Sequence, residues 1–319
     1  MLPALAVAAG LVSFTLPPGM DTTLVVPQGL DLNVANYAGE VFVEAWEKNA
    51  LKISADHSPE DKVIVYPENG SVVVKAYSRQ QDDRTADLRL VVPLWMNVIV
   101  KGIHTDVIVT GTEGDIKVET VHGDIIIRGG RGLIDLNTVN DDICVSDAEG
   151  TVRAETVNGD AYIWRTACDS VDVSTVNGDV VYEGSMDYRG VYRFKTHNGD
   201  IAVGVPRSAG ATVAVSTFSG DFESNFPVTL SGSHNTRRFQ FAVGDGSAHV
   251  DLSSFQGTIQ LYRAVETASA RVSKMDNIVE RIIDKRLDKK IEKANKVVKI
   301  RERYQKRHDG NDGSYVGGE

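Results

Sequence analysis

Through the middle of the chain, apolar and polar residues alternate in short runs that come in pairs around a polar, glycine-bearing phrase. The phrases are Glu119-Thr120-Val121-His122-Gly123-Asp124, Asn137-Thr138-Val139-Asn140-Asp141-Asp142, Glu155-Thr156-Val157-Asn158-Gly159-Asp160, Ser174-Thr175-Val176-Asn177-Gly178-Asp179, Lys195-Thr196-His197-Asn198-Gly199-Asp200 and Ser216-Thr217-Phe218-Ser219-Gly220-Asp221. Before them, Ile116/Val118, Ile134/Leu136, Val152/Ala154, Val171/Val173, Tyr192/Phe194 and Val213/Val215 fall on one face of a period-two pattern. After them, Ile125/Ile127, Ile143/Val145, Ala161/Ile163, Val180/Tyr182 and Ile201/Val203 do the same. Alternation of this kind predicts strands with one buried face.

Successive phrase threonines are separated by 18, 18, 19, 21 and 21 residues. Asn-Gly between two β runs is a turn signal, and a hairpin meander would use it equally well. A fixed period favours stacked coils, in which like positions meet one strand spacing apart. The residues three before the first five threonines are Lys117, Asp135, Arg153, Asp172 and Arg193, alternating in sign without a break. On neighbouring parallel strands that order is a ladder of complementary charges, each pair contributing about 0.2–1 kcal/mol. The predicted fold is therefore all-β, a parallel β-solenoid of 18–21-residue coils. Weaker phrases at Asn36–Glu40 and Gly102–Asp106 read as earlier coils, and Ser254–Thr258 reads as the last one.

The outward positions after the phrase are partly apolar: Ile126, Cys144, Tyr162, Val181 and Ala202, with Trp164 two positions beyond Tyr162. Such a stripe needs a cover or marks a contact surface. Tyr162, Trp164, Ile126 and Val181 are the candidate contact residues, since outward aromatics anchor partners or stack on sugars. Burial under another segment is the structural alternative.

Around this middle, residues 50–95 hold further strand patterns and read as an N-terminal capping sheet. Regular coils are expected over 97–221 and an interrupted coil over 222–263, within a domain spanning 21–263. Residues 1–20 resemble a signal segment, with Ala6-Val7-Ala8 in small-x-small form but no Lys or Arg ahead of it. From 264 to 308 the period changes to three or four (Val272, Met275, Val279, Ile283, Leu287, Ile291), predicting a basic amphipathic C-terminal α-helix. Residues 309–319, Gly-rich, read as a disordered tail.

Charge follows the same division. The chain carries a net −10. Residues 1–270 are strongly acidic, whereas 271–308 are basic. An acidic body argues against nucleic-acid binding, while the basic helix suits packing on its own solenoid, self-association or peripheral contact with an anionic surface. Cys144 and Cys168 are the only cysteines, too few for a disulfide framework.

The phrase carboxylates Asp106, Asp124, Asp142, Asp160, Asp179, Asp200 and Asp221 are expected to form a turn ladder. Acceptance of turn N–H groups accounts for it; calcium along the ladder is the sharper alternative. His104 and His122 share one slot beside Asp106 and Asp124, which allows a zinc reading. Histidine tolerates that turn conformation without any metal. No cluster breaks the repeat to build a nucleophile or an acid pair with a basic partner. No cofactor and no metal are assigned, and no catalytic residue.

The Asn/His-Gly-Asp phrases at 18–21 spacing, the opening Leu30-Asp31-Leu32-Asn33-Val34 and the closing Gly257-Thr258-Ile259-Gln260-Leu261 resemble the bacterial putative-adhesin family, a domain of unknown function. The resemblance covers roughly residues 28–263 and implies a parallel β-helix with no catalytic residues. The expected function is a non-catalytic, extracytoplasmic, adhesin-like binding or scaffold module for a protein or glycan surface. Self-assembly through solenoid ends or C-terminal helices is the alternative, and a glycan-active β-helix enzyme is a third.

Overall fold

A computed structural model describes residues 13–78, 85–228, 230–235 and 237–264, which fall in one compact unit ending at Ala264. The expected C-terminal helix, the tail and most of the signal-like segment lie outside the described residues. Among the described residues the regular elements are all strands.

The opening strands are β1 (Phe14–Leu16), β2 (Met20–Val25), β3 (Asp31–Trp46), β4 (Ala50–His57), β5 (Asp61–Glu68), β6 (Ser71–Ser78), β7 (Ala86–Pro93) and β8 (Val98–Thr110). The regular coils contribute β9 (Ile116–Glu119), β10 (Ile125–Arg128), β11 (Leu133–Asn137), β12 (Ile143–Ser146), β13 (Glu149–Glu155), β14 (Ala161–Trp164), β15 (Ala167–Ser174), β16 (Val180–Glu183), β17 (Val191–Asn198) and β18 (Ile201–Val205). The closing strands are β19 (Ala211–Thr217), β20 (Phe222–Ser224), β21 (Leu230–Asn235), β22 (Arg238–Val243), β23 (Ala248–Gln256) and β24 (Ile259–Arg263).

Strands before the phrase stack in parallel as β8, β9, β11, β13, β15 and β17. Strands after it stack as β8, β10, β12, β14, β16 and β18. β8 is long because it runs through the phrase corner and belongs to both rows, as does β3 beside it. The inward residues of both rows form one continuous apolar core, with Ile116, Leu136, Val152, Val173, Phe194, Ile125, Val145, Ile163, Tyr182 and Val203 all at most 1% exposed. That is the expected alternation, with period two on both walls.

Stack order departs from chain order at both ends. β23 lies between β17 and β19, and β24 lies between β18 and β20. The phrase Ser254–Thr258, expected as the last coil, is therefore the last in sequence and the penultimate in space. The chain first makes the outer coil, turns back through the antiparallel pair β21–β22, with β22 on β19, and then fills the gap. At the other end β3 sits inside β6 and β7, which β5 and β4 follow antiparallel, with β1 and β2 outermost. Antiparallel strands thus close the parallel stack at each end. Phe14–Leu16, within the expected signal-like segment, pairs with β5 and buries Leu16.

Gly123 and Gly257 take positive φ of 139° and 129°, whereas three other phrase glycines are required by contact and not by backbone dihedrals. Gly159, Gly178 and Gly199 do not adopt left-handed φ. A Cβ on Gly178 would overlap the carbonyl oxygen of Gly159, and one on Gly199 would overlap that of Gly178. At these three positions coils approach until backbone meets backbone, whereas in the second phrase the slot holds Asp141, whose Oδ2 accepts from Gly123 N at 2.8 Å. The opposite corner does need left-handed residues: Gly111, Gly129, Asp147 and Arg165 take φ of 77°, 78°, 56° and 51° in successive coils. Arg165 Nε and Nη2 donate to Asp147 Oδ1 and Oδ2 at 2.8 and 2.7 Å, tying the two strained non-glycine corners together.

Each phrase threonine is buried, and those from Thr120 to Thr196 donate back across the stack. Thr156 Oγ1 donates to Asp141 O at 3.1 Å, Thr175 to Gly159 O at 2.9 Å and Thr196 to Gly178 O at 2.9 Å. The carboxylates act in the forward direction. Asp124 N donates to Asp106 Oδ1, Asp142 N to Asp124, Asp160 N to Asp142, Asp179 N to Asp160 and Asp200 N to Asp179, at 2.8–3.2 Å. Thr258 N completes the series on Asp200 Oδ1 at 2.7 Å, because the inserted coil occupies the place next to Asp200. Asp221 therefore lies one coil farther out, past Thr258. The series compensates each carboxylate with a backbone donor. Half-buried Asp142 still feels the cost. Burial first, and then Asp160, Asp124 and Asp141, raise its pKa above the usual carboxylate value, although the Asp160 N–H opposes them.

Two outcomes follow from this stacking. Gly178→Ala is expected to cost about 1–3 kcal/mol through overpacking, with a fall of several degrees in Tm. The exposed substitution Val157→Ala should stay within about 0.5 kcal/mol; thermal melts of the two variants make the comparison. For Asp142 the native state holds its proton more tightly than the unfolded chain does. Its ionisation therefore costs stability at neutral pH and ceases to do so as pH falls through the carboxylate range. Asp142→Asn keeps an oxygen for the Asp160 N–H and loses the charge. Its Tm at pH 7.5 should match or exceed wild type by about 1–3 °C, with the difference vanishing near pH 4.

Candidate functional site

The alternating charges of the first row are neighbours in register: Lys117 beside Asp135, Asp135 beside Arg153, Arg153 beside Asp172, and Asp172 beside Arg193. Lys117 Nζ lies 3.6 Å from Asp135 and Arg193 Nη1 lies 3.7 Å from Asp172. The inserted coil adds Asp251 next to Arg193 and continues the alternation. These exposed pairs set register more than they stabilise.

The second row's outward stripe is different from expectation. Ile126 is 1% exposed and Trp164 4%, and Cys144, between Ile126 and Tyr162 in the ladder, is buried as well. Neither Ile126 nor Trp164 presents a surface, which removes both as contact residues. The stripe that reads as outward by alternation is therefore dry at Ile126, Cys144 and Trp164. The Trp164 indole Nε1 has no hydrogen-bond partner among the described residues. Tyr162 and Val181 are half-buried. Tyr162 donates its hydroxyl to Asp160 Oδ2 at 2.8 Å, and burial together with that carboxylate pushes the phenol's pKa well up.

His104 and His122 stack with centroids 4.8 Å apart and planes 9° apart. An ion lying in the plane of one ring would lie off the plane of the other, so this pairing suits stacking and not shared ligation. Tyr37 meets His104 edge-on on one side. On the other, Asn140 reaches the His122 ring, Asn158 Nδ2 donates to Asn140 Oδ1 at 3.0 Å, Asn177 to Asn158 at 2.8 Å and Asn198 to Asn177 at 2.7 Å. The slot is a side-chain ladder that follows the stack. No group of three His, Cys, Asp or Glu side chains is placed to hold a metal ion among the described residues.

The concave feature lies one position earlier in the phrase. Val121, Val139, Val157 and Val176 project outward, 37–41% exposed, in successive coils. His197, Phe255 and Phe218 extend the row. His197 stacks on Phe255 at 4.5 Å and Phe255 on Phe218 at 4.6 Å, while the Arg237 guanidinium lies 4.8 Å over the far face of Phe218. The row forms one wall of a groove of about 950 Å³. The buried phrase threonines make its floor. Asn137, Glu155, Ser174, Lys195, Ser253 and Ser216 make the opposite rim. Arg237 and Arg238 stand at the Phe218 end. The groove runs across the strands, and each coil presents the same slots to it.

The sequence signal for this groove is the residue after each phrase threonine, which is apolar or aromatic yet sits next to a turn. Alternation alone assigns it no face. Phe255 could be placed in the row only once the inserted coil was known.

No curated protein matches the sequence. Among solved structures, a putative adhesin from Bacteroides fragilis is 12% identical, covers 82% of this chain and 100% of its own, and superposes with a TM-score of 0.39. A putative adhesin from Parabacteroides merdae is 10% identical, with 81% and 98% covered and a TM-score of 0.34. A putative cell adhesion protein from Clostridium sporogenes is 10% identical, with 77% and 100% covered and a TM-score of 0.26. The Toastrack DUF4097 family model matches residues 20–262, through both rows of the stack and its closing strands, so the chain belongs to that family.

Proposed function

We propose that this chain is a non-catalytic, adhesin-like binding module of the extracytoplasmic space, and that it holds an extended ligand in the groove along the phrase corner. The observation that carries the reading is the groove itself, whose wall, floor and rim are each built from one position repeated coil after coil. A surface of that kind offers the same contact at each step and suits a ligand that also repeats. Its polar rim and apolar wall match the usual make-up of a binding site, a mostly apolar lining with a few polar groups to fix orientation. The hydroxyls of Thr156, Thr175 and Thr196 on the floor are committed to carbonyls of the preceding coil. Export is supported by the small-x-small pattern at Ala6-Val7-Ala8. No helix among the described residues is long and apolar enough to cross a membrane.

The double variant Val157→Asp/Val176→Asp changes two exposed side chains in the wall and should leave Tm within a few degrees of wild type. On an array carrying linear glycans and extended peptides, the variant is expected to lose at least about tenfold of the wild-type signal, a deficit of about 1.4 kcal/mol. Tyr162→Phe, outside the groove, should bind as wild type does. Equal binding by wild type and the wall variant removes the groove as the site.

A further inference from the structure

We infer that the groove takes a linear polysaccharide bearing acidic groups, seated with an acidic group at the Phe218 end. This rests on the groove being the binding site, and adds the chemistry of its occupant.

Charge is the first argument. Among the described residues the only acidic side chain in the groove lining is Glu155, against Lys195, Arg237 and Arg238. The cations lie toward one end. Lys195, Ser253, Ser216 and Arg238 occupy successive places in one ladder, so Lys195 and Arg238 are three steps, about 14 Å, apart. Arg237 caps the stacked rings beside them. Residues 1–270 are otherwise strongly acidic. An anion is repelled over most of this body and attracted at that pole, which fixes the orientation of a charged chain before any close contact forms.

The rings add to the same preference. His197, Phe255 and Phe218 stack on one another with interplanar angles of 10° and 4°, so their faces are occupied by each other and by Arg237. What they turn outward is their edges, which carry the positive part of the aromatic quadrupole. Edges next to three cations favour an oxyanion over a neutral sugar face.

Geometry decides between a glycan and a peptide. The groove crosses the strands, so its repeat is the strand spacing of about 4.8 Å, whereas same-side residues of an extended peptide recur about every 6.8 Å and fall out of step within one or two coils. A peptide also binds strongly by adding a strand to an open sheet edge. Here the coil backbones are bonded to one another along the stack, as in Asn158 N to Val139 O and Asn177 N to Val157 O. A pyranose ring advances by close to one coil spacing. Its hydroxyls can meet the amide and hydroxyl groups of Asn137, Ser174, Ser253 and Ser216, and its apolar face can rest on the valine wall.

The test uses the full chain and polygalacturonate as the probe, with its carboxyl-reduced neutral form as control and poly-glutamate as the peptide arm. Binding by calorimetry is expected for polygalacturonate. It should be weakened at least about tenfold by Lys195→Glu/Arg238→Glu and by raised salt, and left unchanged by Lys62→Glu on β5. Equal binding of the reduced polymer, lost in Val157→Asp/Val176→Asp but kept in the charge-reversed pair, overturns the acidic-ligand inference and leaves the groove standing. Tighter binding of poly-glutamate than of polygalacturonate overturns the glycan assignment. If no polygalacturonate binding occurs, or if both groove variants bind it as wild type does, the inference is refuted. In the second case the groove falls with it.

Discussion

The fold depends on one distance, the separation of about 4.8 Å between a strand and its neighbour in a sheet. Because the coils are parallel and in register, that distance brings each residue against the residue in the same slot of the next coil, over and over. A slot must therefore be filled by something that tolerates its own near-copy as a neighbour. Glycine meets this condition where backbones touch. Asparagine meets it by donating to the next asparagine, histidine by stacking on histidine. Aspartate meets it only because each carboxylate takes a backbone N–H from the coil that follows. The charged slot meets it by changing sign at each step. Viewed this way, the repeating coil is a set of five different solutions to a single packing problem.

The same distance shapes the surface. A wall of valines one coil apart, a floor of threonines turned toward backbone carbonyls and a rim of short polar side chains arise because a corner residue has nowhere to point except along the stack or away from it. The groove therefore needs no dedicated loop. It becomes chemically distinct only at the end where the valines give way to rings and cations join the rim.

Much of this was legible before any coordinates. The period-two runs, the near-constant spacing of the phrases and the sign alternation from Lys117 to Arg193 specify parallel stacking and even the pairing register. Two things were not legible. Stack order is hidden, because a repeat reports that two segments are equivalent and not which of them are adjacent. A clue existed in Asp251, which has the sign needed next to Arg193, where Ala214, next in the chain, has none. The faces of residues near the corners are also hidden, since alternation breaks where the backbone turns. Val157 and Phe218 are exposed for that reason, and Trp164, outward by counting, is dry.

The insertion of β23 and β24 between coils made earlier in the chain has a consequence for assembly. When the chain is made or threaded out from its N-terminus, coils can add in order as far as β18, each finding a finished template. Then the process must wait. The segment from 211 to 224 can pair with β22, but it has no place in the parallel stack until residues 248–263 arrive and supply one. The aromatic end of the groove, where His197, Phe255 and Phe218 come together from separate stretches, is completed at that same moment. Vectorial growth thus leaves the most distinctive part of the surface unformed until the whole body is present, so an interrupted chain would carry the regular coils without the pole that sets them apart.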